Sequence, residues 1–317
     1  MYLENGDRRI AFKKDGLCVD VLIPSYDRPE LLGIILRTWL NIDYLGSIFV
    51  LAQASSQEVA NRYKSILEEF GNKNRVVYKI LTVKLGSVRA RNMLLDMASE
   101  SSCEYVLMTE DDLLPLDRRM LAMMIKRFKL DNRIGLVGGK VSIISKRRVD
   151  PEFFLNLPLN LTELISKLTG YIFVNAKRSS GYSEYLFQYF LIKKEVLAKG
   201  VRYSEFFNIP TGFREETDFQ FQVKNLGYML FYESKVNMIH LTIETGGNRP
   251  GLTMGERMYW KARAHTLFVL KWNKSILKRI WYITCSLLIL SLYRPWHIPW
   301  LLKGVKDGIR IYYEKVG

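Results

Sequence analysis

Glu110, Asp111 and Asp112 stand in a row at the end of the apolar run Tyr105-Val106-Leu107-Met108, just before Pro115. Three adjacent carboxylates repel one another unless a cation or a proton relieves the charge. A hard divalent ion, Mg²⁺ or Mn²⁺, does this through oxygen ligands and can bridge to substrate phosphates. The plainer reading is a solvated acidic turn after a core strand, and on this stretch alone the two balance. A second acidic group, Glu215, Glu216 and Asp218, opens a helix that stops near Gly227. Such residues suit the positive end of a helix dipole, or one of them can take a proton as a general base. Arg89 and Arg91 fall in the early turns of a helix opened by Gly86-Ser87, where an anion is favoured. His240 follows an apolar run. Alone it reads as a core histidine, and only the acidic motif upstream makes it a candidate ligand.

These groups need a scaffold. Val19 to Pro24, Ser47 to Leu51, Val76 to Val83 and Tyr105 to Met108 read as strands. Helical patterns over Leu31–Leu40, from about Gln57, from Ser87 and from about Leu116 to Leu130 alternate with them. This β-α-β-α order predicts a parallel sheet with helices on both faces, and ligands at the carboxyl ends of its strands. Beyond Asp131 the pattern loosens. Ile134 to Ile144 and Tyr185 to Ile192 read as strands around a poorly patterned stretch, 145–181. Tyr228 to Tyr232 and Lys235 to Leu241 read as two short strands, and Met254 to Trp272 as an aromatic, basic helix. The apolar run Ile280 to Tyr293 is short of a full bilayer span. Trp281, Tyr282, Tyr293, Trp296 and Trp300, interleaved with Lys274, Lys278, Arg279 and Arg294, form an interfacial set suited to an anionic membrane surface, the alternative being a helical hairpin packed on the catalytic body.

Composition bounds the function. The 317 residues, 48% hydrophobic and 25% charged, are globular in character. A net charge of +15 favours an anionic partner. Its dispersal, with no recognised binding motif, argues against nucleic acid. Cys18, Cys103 and Cys285 are far apart, so neither a zinc site nor a disulfide framework is expected, and a reducing compartment fits. The polar start lacks the apolar core of a signal peptide. The expectation is a cytoplasmic protein, peripheral at the inner face of a membrane.

Taken in order, the motifs resemble those of family 2 glycosyltransferases, which have the GT-A fold. Val21-Leu22-Ile23-Pro24-Ser25-Tyr26-Asp27-Arg28-Pro29 is similar to the family's opening strand and turn, and Gly86 to Asn92 to its G-x-x-x-A-R-N segment. Glu110-Asp111-Asp112 occupies the place of its D-x-D motif, Glu215-Glu216-Thr217-Asp218 that of E-D-x-D, and His240 that of the histidine closing the metal site. A weaker likeness, from Leu302 to Gly308, is to rhamnosyltransferase-like members. The resemblance implies a mixed, mostly parallel α/β sheet flanked by helices, with a C-terminal helical segment suited to a membrane. It implies an N-terminal extension (1–18), a catalytic domain (19–250) and an aromatic-basic tail (251–317). It assigns Mn²⁺ or Mg²⁺ to Glu110, Asp112 and His240, and a UDP-, GDP- or dTDP-sugar to Pro24, Tyr26, Arg28, Gln53, Arg89, Arg91 and Asp111. Glu216 becomes the base, with Glu215 and Asp218 as rivals. The implied reaction is an inverting sugar transfer to a glycan or lipid-linked acceptor. Two features depart from the pattern. Gln53 stands where an acidic pair would read the nucleotide base, and Glu replaces Asp at Glu110 and Glu216. A catalytically inactive nucleotide- or glycan-binding protein is the alternative. A nucleotidyltransferase ranks lower, because Pro24 to Pro29 has no glycine-rich phosphate loop.

Overall fold

The computed structural model describes residues 17–71, 75–144, 159–172, 179–187, 189–241, 243, 246–247 and 251–315. The stretch 145–181 therefore lies partly outside the described residues, as does most of the N-terminal extension.

The chain opens with β1 (Val19–Tyr26), α1 (Pro29–Trp39), β2 (Leu45–Gln53), α2 (Gln57–Gly71), β3 (Val76–Leu81), α3 (Ser87–Met97) and β4 (Tyr105–Met108). These four strands run parallel in the order β3-β2-β1-β4. Then come β5 (Leu113–Pro115), α4 (Met120–Leu130), β6 (Ile134–Ile144), α5 (Leu159–Thr169), β7 (Gly181–Tyr182) and β8 (Phe190–Lys193). Apart from short helical turns, the later elements are α6 (Glu215–Asn225), β9 (Met229–Leu241), α7 (Met254–Trp272), α8 (Ile276–Tyr293) and α9 (Ile298–Lys315). β8 enters antiparallel between β4 and β6, and β9 is parallel to β6. β1, β2, β3, β4, β6 and β9 thus share one direction, while β5, β7 and β8 oppose it.

Strand alternation splits the core across this sheet. Val19, Val21 and Ile23 of β1 point to one face, where Leu32, Leu36 and Trp39 of α1, Tyr63 of α2 and Met124 of α4 cover them. Leu22 points to the other, with Val88 and Leu94 of α3, Phe219 of α6 and Leu267 and Phe268 of α7. Helix α7 is therefore part of the body rather than a free tail.

Three expectations change. The apolar run from Tyr185 is strand only over Phe190–Lys193, since Leu186 pairs its backbone with the Gln220 side chain instead of a neighbouring strand. The two short strands near the histidine are one long strand, β9, which passes β7 early and β5 late. The expected absence of disulfides fails. Cys18 and Cys103, 85 residues apart, are bonded because they lie one and two residues before the adjacent strands β1 and β4. Cys285 is free and buried.

Candidate active site

Shared strand direction brings the acidic motifs together. β1 delivers Ser25 and Arg28 at its carboxyl end, and β4 delivers Glu110, Asp111 and Asp112. β9 delivers His240, locked opposite Leu113 of β5. Ligand atoms of Glu110, Asp112 and His240 lie within 4.8 Å of one another. Asp112 is buried, and its Oδ1 has no hydrogen-bond partner among the described residues. His240 Nε2 is 3.6 Å from the other oxygen, Oδ2. Two carboxylates and an imidazole form a hard donor set that fits a divalent cation.

Arg28 spans the acidic pair, its Nη1 donating to Asp111 Oδ1 at 3.1 Å and Asp112 Oδ2 at 2.9 Å. Ser25 Oγ donates to Asp111 Oδ2 at 2.6 Å and also meets the Tyr63 hydroxyl at 2.7 Å. Burial, and then the charge of Asp112, pushes the Asp111 carboxyl up to about 6, while Arg28 and Ser25 pull the other way.

Arg91 is the second hub. Its Nη2 donates to Glu110 at 2.8 Å and to Glu216 at 3.0 Å, and its Nη1 to Glu215 at 3.2 Å. Burial opposes the charge on this guanidinium, but Glu216, Tyr203, Glu110 and Glu215 outweigh it and raise its pKa. Glu215 is the enclosed member of the pair, with a side chain 3% exposed against 20% for Glu216. Burial and the neighbouring Glu216 charge push the Glu215 carboxyl up to about 7, against the pull of Arg91. Asn92, next in the chain, does structural work: its amide donates to the Tyr203 carbonyl and accepts from the Tyr203 N–H. That holds Tyr203 where Arg91 lies 5.5 Å over its ring.

Gly86 opens α3 with φ 85°, and a Cβ there would meet Asn208 Oδ1 at 2.2 Å. Glycine is what allows this turn. Beside it lies a cavity of about 280 Å³, lined by Lys84, Leu85, Gly86, Asn208, Ile209 and Pro210. It opens at the N-terminus of α3, where backbone N–H groups favour an anion.

Residues 17–174, just under half of the chain, match a family described as glycosyltransferase like family 2. No curated protein sequence matches the chain. Among solved structures it is similar to S. aureus TarS 1-349 in complex with UDP-GlcNAc, at 14% identity and a TM-score of 0.62, over 93% of this chain and 81% of that one. It is similar to the mannosyltransferase PcManGT from Pyrobaculum calidifontis in complex with GDP-Man and Mn²⁺, at 15% identity and a TM-score of 0.54, over 98% and 82%. It is also similar to GalNAc-T7 with UDP, GalNAc and Mn²⁺, at 14% identity and a TM-score of 0.61, over 96% and 57%.

The chain has the GT-A fold.

Within this GT-A scaffold, two residues expected at the site are placed elsewhere. Arg89 is one: its side chain is 60% exposed and pairs with Glu205, because two residues along a helix turn it away from Arg91. Asp218 is fully buried beneath the site, where Lys271 Nζ at 2.7 Å and Trp272 Nε1 at 2.8 Å bind it. It fastens α6 to α7. Gln53 commits its side-chain carbonyl to the Leu85 N–H at 2.7 Å, so it shapes the loop before α3. Pro24 is within β1 opposite Leu51, and Tyr26 ends that strand with the Lys84 ammonium 4.5 Å above its ring.

Sequence reasoning missed Ser25, Tyr63 and Lys84. Tyr63 was legible only as one apolar position of α2, and its hydroxyl also accepts from the Arg28 N–H at 2.8 Å. It missed Arg214 as well. This buried side chain donates to the Gly170 carbonyl at 2.8 Å and contacts His265 Nδ1 at 2.5 Å.

Proposed function

We propose that the chain is an inverting glycosyltransferase that moves a sugar from a nucleotide-sugar donor to a glycan or lipid-linked acceptor at a membrane surface. One observation carries the reading: a single guanidinium, Arg91, joins the candidate metal motif at Glu110 to the carboxylate pair Glu215 and Glu216. Leaving group and nucleophile in such a transfer lie on opposite sides of one carbon, so their protein partners must be close together. The solved relatives bound to GDP-Man, UDP-GlcNAc or UDP with GalNAc support a nucleotide-sugar donor, and two of them hold Mn²⁺.

Glu110, Asp112 and His240 would hold a divalent ion, which when bound supplies positive charge to the leaving diphosphate. The N-terminus of α3 and the Lys84 ammonium line the adjoining cavity and offer further positive potential. Glu216, the more open of the two carboxylates, takes the proton of the acceptor hydroxyl as that oxygen bonds to the anomeric carbon. The bond from that carbon to the diphosphate oxygen breaks on the far side. One displacement of this kind inverts configuration. Arg91 holds Glu216 in position throughout, and Arg28 does the same for Asp111 and Asp112.

Calorimetry with UDP, GDP and dTDP, with and without Mn²⁺, tests the donor site. Metal-dependent binding of one nucleotide, lost in Asp112→Ala, is the expected outcome, and it also selects the base. Failure of the folded protein to bind any of the three overturns the donor assignment. Binding without turnover across sugars and acceptors favours a catalytically inactive nucleotide-binding protein.

A further inference from the structure

Two helices far apart in sequence present apolar stripes to solvent side by side. On α5, Leu161, Leu164 and Leu168 recur at helical spacing and are 39%, 52% and 57% exposed. On α8, Leu277, Trp281, Leu288 and Leu292 form a second stripe, 76%, 56%, 59% and 83% exposed. The stripes adjoin because the Trp281 indole donates to the Leu168 carbonyl at 2.7 Å and the Tyr282 hydroxyl to that of Lys167. A contiguous exposed apolar face of this kind marks an interaction site.

The charge around it identifies the occupant. No Asp or Glu occurs between Glu256 and Asp307, whereas that interval carries Arg257, Lys261, Lys274, Lys278, Arg294, Lys303 and other cations. Lys274 and Lys278, at the start of α8, are exposed, whereas on α5 Lys167 pairs with Glu184 at 3.3 Å, so the positive charge comes from the α8 side. Apolar stripes bounded by cations and by Trp and Tyr match the interface of an anionic bilayer. Helix α8 is long and apolar enough to cross a membrane by composition. Yet it is fastened along the body: Arg279 donates to the Leu270 carbonyl at 2.9 Å, and Cys285, Ser286 and Leu290 are buried. Its axis therefore runs along the protein, with the apolar stripe facing outward.

We propose that α5 and α8 together form one bilayer-contacting face for anionic lipid. The proposal deepens the glycosyltransferase reading and rests on it only for the acceptor. Gly170, just after α5, is bound by Arg214, the residue immediately before Glu215 and Glu216. Arg214 also contacts His265, whose Nε2 is 3.3 Å from the Tyr282 carbonyl of α8. The lipid face is thus fastened to the start of the helix that carries the candidate base. An acceptor embedded in the bilayer would meet the protein on that side, so a lipid-linked acceptor is the class this face suits.

The test is co-sedimentation of the full chain with phosphatidylcholine vesicles, with and without phosphatidylglycerol. One variant carries Leu161→Gln, Leu164→Gln and Leu168→Gln in α5, and another carries Leu277→Gln, Leu288→Gln and Leu292→Gln in α8. All six positions are exposed, so both variants should fold, as circular dichroism will check. The wild type is expected to bind the anionic vesicles, and each variant to lose binding by at least about tenfold. An α5 variant that binds like the wild type overturns the shared face. So does a wild type that ignores vesicles, or one that forms a dimer dissociated by the α5 changes without vesicle binding. Nucleotide calorimetry on the same proteins reports separately on the donor site.

Discussion

Arg91 is buried, yet it stays charged because three carboxylates surround it. Its neighbours divide the work by exposure. Glu216 is the more open of the pair and Glu215 is enclosed, so the two should respond differently to neutral replacement. Glu216→Gln is expected to keep nucleotide affinity and lose roughly 10²- to 10⁴-fold in turnover, measured by steady-state kinetics. Asp218→Ala should instead act on stability, since it strands Lys271 and the Trp272 indole. A loss of roughly 3 kcal/mol in urea unfolding, with nucleotide binding retained in the surviving folded protein, is the expected result. Glu215 also sets a pH dependence. Its folded pKa of about 7 is above the ordinary 4.5, so between these values the native state binds more protons than the unfolded chain. Its contribution to stability is therefore full below about 4.5 and lost as pH rises through 7. Thermal melts of Glu215→Gln should decline less steeply across that window than those of the wild type.

At the level of elements, parallel strands converge their carboxyl ends, and the loops there are built from residues with little freedom. Gly86 shows this most clearly: its positive φ and the approach of Asn208 leave no room for a side chain. Gly86→Ala is expected to cost about 1–3 kcal/mol and to weaken nucleotide binding, as paired unfolding and calorimetric titrations would show. Much of this arrangement was legible in the chain. The apolar run stopped by Pro24 located β1, and the apolar run before Glu110 located β4. Helix periodicity itself could have separated Arg89 from Arg91, because Arg91 shares its face with the buried Val88 and Leu95. Other assignments depended on contacts no local pattern contains. Asp218 looks like a helix-dipole residue until Lys271 and Trp272 arrive from α7. Nothing local to Gln53 announces that its carbonyl accepts from the Leu85 N–H, 32 residues away. Strand β9 reads as two pieces because Glu233, Ser234 and Lys235 break the apolar run. The β6–β9 ladder carries a register irregularity near this point. Buried Glu233 there is held by Arg127 and Ser180.

The whole molecule is a single sheet whose two halves differ in how they are secured. The later half is tied by packing of α7 on the second core and by the Asp218 contacts. The earlier half has a covalent tie in addition. Cys18 and Cys103 bracket β1, α1, β2, α2, β3 and α3, so this part of the molecule is topologically a ring with β4 starting at its clasp. In the unfolded chain, closing a loop of this size removes conformational freedom worth about 4–5 kcal/mol. A ring also survives a single cut. Limited proteolysis that nicks the backbone once between the two cysteines should leave one band on a non-reducing gel and two after reduction. Two bands without reductant would show that the ring is open. A chain so built can be severed within its earlier half and still keep both pieces in register.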